Sequence, residues 1–135
     1  MYDPFADLMT RYPQIPLHDH IPLPDWMNGC TDGRSIWLHP RLVPTCKRCT
    51  LTHEIVHLER GTHTTGPYQS REERIVDRVA ARRLIKIEHL ANALKWTRNH
   101  YELAEELSVS PHMLRVRMET LSNTEHLHLT EALAG

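Results

Sequence analysis

The sequence predicts an α+β fold: a small, mostly antiparallel sheet packed on two helices that carry the site, followed by a helical C-terminal subdomain. Three observations predict it. Prolines at 13, 16, 22 and 24 keep the first quarter of the chain extended, and a turn and a β-rich hexapeptide follow. From about Thr45 onward apolar residues recur at helical spacing instead. An H-E-x-x-H, which works only on a helix, lies at the start of that stretch. The expected division is residues 1–95 for the site-bearing part and 96–135 for the helical subdomain.

In chain order, residues 1–12 read as a short helix stopped by Pro13. Asp32-Gly33 is a turn signal, and Arg34-Ser35-Ile36-Trp37-Leu38-His39 reads as a strand, so Gly29 to His39 is half of a hairpin. The helix from about Thr45 meets a stop at Gly61. Thr62 to Gln69 reads as loop, and Ser70 as the N-cap of a long helix from Arg71. At 100° per residue Val76, Ala80, Leu84, Ile87 and Ala91 gather on one face of it, and Arg74, Arg78 and Arg82 on the other. Further helix follows Trp96, broken between Ser108 and Pro111.

Composition excludes several classes. Lys plus Arg number 16 and Asp plus Glu 17, so no overall field draws nucleic acid or a membrane surface. No apolar run has the length of a membrane span, and the N-terminus lacks the basic and apolar regions of a signal peptide. Three cysteines, an odd set, argue for a reducing cytosol rather than a disulfide framework. A cytoplasmic location is the expectation.

His53-Glu54-Ile55-Val56-His57 carries the chemistry. On a helix its two imidazoles stand at i and i+4, about 6 Å apart along the axis, which suits one tetrahedral zinc ion. Glu54 lies on the adjacent flank, able to act on a water at the metal without binding the metal itself. A catalytic zinc takes a third protein ligand, and two candidates compete. His63 stands at position eleven from the first histidine, as in metzincin proteases, but their turn glycine is replaced here by Arg60, with Gly61 one place late. Glu73, with Asp77 one turn later, resembles the second helix of gluzincin proteases. Glu73, Asp77, Ala80 and Leu84 follow i, i+4, i+7, i+11, so two acids continue an inward stripe and need a cation beside them. The comparison favours Glu73; Glu72 is the register alternative, and its i+4 partner is only Val76.

Thr50-Leu51-Thr52-His53-Glu54-Ile55-Val56-His57-Leu58, then Glu73 to Ile85, resembles the ImmA/IrrE metallo-endopeptidase family, and Asp32 to Leu38 is similar to the strand leading into its active-site helix. The short length and Ala81-Arg82-Arg83-Leu84-Ile85 look like versions from temperate actinobacterial phages. The resemblance implies zincin-type helices and one Zn2+ held by His53, His57 and Glu73. It also implies Glu54 as general base and Asp77 orienting a zinc-bound histidine. The implied partner is a repressor-type transcription factor, cleaved to release a prophage or stress programme. Lys86 stands where the family usually has proline, so the second helix is expected to run on. An oxyanion donor beyond the zinc is expected, and His63 and Tyr68 lie in the right loop.

Blander readings stand beside these. Cys46-x-x-Cys49 reads as buried thiols beneath the site, because cysteines and histidines spread over eleven helical residues cannot meet at one ion. The other histidines, His112 among them, show no convergent spacing. Tyr101 to Leu121 resembles a helix-turn-helix, yet Lys95, Arg98, Arg115 and Arg117 are balanced by Glu102, Glu105, Glu106 and Glu119, against direct DNA binding. The rival reading is a non-catalytic, zinc-containing regulatory module working through that C-terminal region.

Overall fold

Asp3 begins the first helix. Its carboxylate accepts the backbone N–H groups of Phe5 and Ala6, Pro4 fills the first helical position, and α1 runs Pro4–Arg11 before Pro13. The structure, a computed structural model, describes residues 1–61 and 69–134. Three short strands follow: β1 Leu17–His18, β2 Gly29–Thr31 and β3 Ile36–Leu38. Asp32 closes the β2–β3 turn by accepting the N–H groups of Arg34 and Ser35, with Gly33 at φ 87°.

The sheet is mixed rather than mostly antiparallel. Its order is β1-β3-β2: the hairpin pair is antiparallel, as expected, but β1 runs parallel to β3. The cause lies in the proline-bearing link between β1 and β2, which carries the chain past the centre so that β2 forms the opposite edge. Ile36 and Leu38 on the central strand are fully buried, and Trp37, on the other face, stacks on His18.

α2 spans Pro44–Arg60, with Pro44 at its first position and Gly61 in the left-handed conformation at its end, φ 68°. This helix has apolar residues on two faces. Leu51 and Ile55 pack with Leu8, Ile36 and Leu38 under the sheet. Cys49 and Val56 join a larger core built from the later helices. Those are α3 Gln69–Leu84, α4 Ile87–Leu94, α5 His100–Glu106, α6 Pro111–Glu119 and α7 Asn123–Ala134. Val76, Ala80 and Leu84 are buried on one face of α3 as the periodicity requires, whereas Ile87, half-buried, and Ala91, buried, belong to α4.

Two helix-end expectations need correction. Ser70 lies inside α3, which already begins at Gln69, so it is not the N-cap. Nor does α3 run on past Leu84: Lys86 is extended at ψ 144° and starts α4. Tertiary donors explain the stop. Arg48 of α2 donates to the Leu84 carbonyl at 3.2 Å, and Arg117 of α6 donates to the Ile85 carbonyl at 2.8 Å. These carbonyls are satisfied from outside, so the helix gains nothing by continuing.

Arg48 does more than this. The same guanidinium reaches the carbonyls of Tyr2, Leu107 and Ser108, tying α2 to the N-terminus, to α3 and to the α5–α6 turn. Arg117 is buried and also pairs with Glu125, which withdraws one of the four cations counted as available to a phosphate.

Gly29 marks where the edge strand meets α2. A Cβ there would lie 2.8 Å from Thr50 Cγ2 and 2.9 Å from the Trp37 carbonyl oxygen. One of these contacts is backbone, so the strand itself must move. Gly29→Ala is expected to cost about 1–3 kcal/mol, the usual range for overpacking. A shift of the urea midpoint at unchanged slope would register it, and an unaltered midpoint would contradict the close approach.

Candidate metal centre

α2 and α3 pack directly on one another and bring two short sequence motifs face to face. One helical turn separates His53 from His57, whose ring centroids are 4.8 Å apart at 70°. Glu73, in the second turn of α3, lies between them. Its Oε2 is 2.9 Å from His53 Nε2 and its Oε1 is 2.7 Å from His57 Nε2. One ligand atom from each of the three residues falls within 4.8 Å of the others, and among the described residues this is the group of metal-ligating type that converges so closely.

The donor set fits a zinc ion. Bonds of about 2.0–2.2 Å in a tetrahedron place ligand atoms roughly 3.4 Å apart, so the Glu73 oxygens, 2.9 and 2.7 Å from the two imidazole nitrogens, need only open slightly to admit the ion. The far side of His53 supports the fit. Its Nδ1 donates to Asp77 Oδ1 at 2.8 Å, which fixes the ring and turns Nε2 toward Glu73. Burial works against a charged His53, but hydrogen bonds to Asp77 and Glu73 outweigh it and raise its pKa to about 10. The same contacts hold Glu73 low, its bond to His53 first, and hold Asp77 low against burial.

Glu54 differs from the other acids. It is 6% exposed, and burial lifts its pKa to about 7, with the His53 charge pulling back and Glu73 adding to the rise. A carboxyl tuned near neutrality exchanges protons readily at that pH. It faces a cleft of about 830 Å³ lined by the β2 edge, by Trp26 and Met27, and by α2, α3 and the start of α6.

The sequence-derived candidates sort as follows. His53, Glu54, His57, Glu73 and Asp77 all line this one cleft. Glu72, the register alternative, also borders it and pairs with Arg60, but it is not one of the three residues that converge. His63 and Tyr68, the proposed alternative ligand and oxyanion donors, lie outside the described residues. Cys49 is buried at the cleft floor, its sulfur accepting the Ser110 N–H at 3.4 Å, and burial pushes its thiol pKa up, as it does that of Cys30 on β2. Protonated thiols are poor ligands and poor nucleophiles, which matches packing groups.

One participant escaped the sequence reading. His112 Nε2 lies 3.1 Å from Asp77 Oδ2, bonding the oxygen that His53 leaves free. These residues are 35 positions apart on separate helices, and no spacing rule connects them.

Comparison with known proteins agrees with the geometry. The peptidase family described as the IrrE N-terminal-like domain matches residues 9–119. The chain belongs to that family. The match takes in α2, α3 and the α5–α6 pair, so the IrrE-type region extends over both halves of the cleft wall. Neither a curated protein nor a solved structure matches the chain significantly. As an IrrE-type chain it has a peptidase-like cluster of residues of metal-ligating type in a helical fold with a small mixed sheet. No described helix is long and apolar enough to cross a membrane.

Proposed function

We propose that this IrrE-type chain is a zinc-dependent endopeptidase of gluzincin arrangement, with residues 1–95 as the peptidase part on zincin-type helices and 96–135 as a helical subdomain. The convergence of His53, His57 and Glu73 within 4.8 Å carries the reading. When bound, zinc lowers the pKa of water toward about 7 and polarises a carbonyl. The chain's own residues do the rest. His53 and His57 present Nε2 and Glu73 a carboxylate, while Asp77 keeps the His53 ring in register through Nδ1. Glu54 takes a proton from the attacking water and returns it to the leaving amine.

The substrate in this reading is a protein, a repressor-type transcription regulator of a prophage or stress programme, met in the cytoplasm. A half-buried sheet edge beside the site supports a peptide substrate. Among the described residues β2, which borders the cleft, pairs with β3 on one side only, so an extended segment can add to it as a further strand.

Zinc titration of the purified protein, with Glu73→Ala beside it, tests the ligand set. One ion per chain is expected, and the variant should bind at least about 100-fold more weakly, beyond the 10–100-fold typical of an outer partner. Wild-type affinity should tighten as pH rises through neutrality. His53 holds its proton up to about pH 10 without metal, and the ion must displace it. Unchanged affinity in Glu73→Ala would remove this carboxylate from the ligand set.

A further inference from the structure

Asp77 has two oxygens, and both are used. Oδ1 accepts from His53 Nδ1 at 2.8 Å, and Oδ2 bonds His112 Nε2 at 3.1 Å. An Asp carboxylate turns easily about its last torsion, and at 21% exposure on an open cleft its oxygens have solvent as an alternative partner. A single hydrogen bond leaves that rotation open; a second, from another helix, closes it.

The backbone bearing His112 is fixed with care. Ser110 caps α6 by accepting the Met113 N–H at 3.2 Å, and Pro111 sets the first turn, which leaves His112 at the second helical position. The turn before it is tied to α2, the helix that bears His53. The Ser110 N–H donates to Cys49 Sγ, and Arg48 donates to the Ser108 carbonyl at 2.7 Å. His100 adds a contact of 3.0 Å to the Pro111 carbonyl, and Met113 and Leu114 sink into the core against α3. The His112 side chain itself is 58% exposed, so core packing is not what holds the ring against Asp77.

We propose that His112 is a positioning residue of the metal centre: by holding Asp77 Oδ2 it locks the carboxylate that orients His53. The proposal rests on the zinc reading above and makes α6 part of the site. A direct role on substrate is less well served by this geometry. His112 Nε2 is committed to Asp77 at 3.1 Å, so that edge of the ring serves the carboxylate rather than a substrate in the cleft.

Cobalt(II) titration followed by visible absorption provides the test, with zinc competition for affinity. His112→Ala is expected to weaken binding by about 3- to 10-fold, less than the 10–100-fold of a group touching the ligand itself, and to shift the cobalt bands. His112→Gln, which keeps an N–H donor at similar reach, should restore both the affinity and the spectrum. In an Asp77→Ala background, adding His112→Ala should change neither, because the two act through one bond. Wild-type-like affinity and bands in His112→Ala would overturn the proposal, as would an equal loss in the Asp77→Ala background. A wild-type chain that takes up no cobalt would overturn the zinc reading itself, and this inference with it.

Discussion

Glu54→Gln is expected to leave metal binding intact and to remove hydrolysis of a protein substrate by about 10²- to 10⁴-fold, the usual contribution of a positioned acid–base group. The side chain lies outside the His53–His57–Glu73 group, so the ion loses no ligand. Glutamine keeps the shape and cannot take a proton. The same variant has a signature in the metal-free protein. Glu54 has a folded-state pKa of about 7 against an ordinary 4.5, so the folded state holds the proton more tightly than the unfolded chain does. Wild-type stability should therefore fall as pH rises from about 4.5 through 7, where the buried carboxyl ionises. The substituted amide has nothing to ionise. Glu54→Gln should gain on the wild type across that window by on the order of 1–3 kcal/mol, read from denaturant midpoints at several pH values. Hydrolysis that persists in Glu54→Gln would mean that another group is the base. A biological role that survives without hydrolysis would favour a regulatory module over a protease.

Arg48→Met is expected to be the most destabilising single change away from the cleft, at roughly 2–4 kcal/mol. Methionine retains most of the packing of the stem and deletes only the guanidinium. Carbonyls of Tyr2, Leu84, Leu107 and Ser108 then lose their donor together, in surroundings where water replaces it incompletely. Arg48→Lys should recover little, since one ammonium cannot span four acceptors. Because Ser108 and Ser110 set the start of α6, the variant should also loosen the metal site, seen as weaker cobalt binding in the folded protein. A loss below about 1 kcal/mol would show that the four contacts are dispensable.

The helices of this protein are legible in its sequence because their signals are local. Proline at the start of α1, α2 and α6, glycine at the end of α2, and apolar residues at helical spacing each act within a turn or two. The His53–His57 pair is legible for the same reason, since four residues of helix fix it. Glu73 and Asp77 are one step harder. Their spacing shows that they share a face, but the meeting with His53 depends on how α2 and α3 pack.

Apart from the start of α3, placed too late, the readings that failed depended on distant partners. The orientation of β1 is set by where its proline-bearing link crosses the sheet, and Leu84 ends α3 because arginines 36 and 32 residues away supply the donors. His112 stands beside Asp77 by the same kind of accident of packing. The sequence by itself determined the helix boundaries set by proline and glycine, the zinc-type motif and the acid pair that faces it. The tertiary structure alone decided strand direction, the stop of α3 and the second partner of Asp77. Backbone propensity and i, i+4 spacing reach only a few residues along the chain, whereas a hydrogen bond between helices exists only once they are packed.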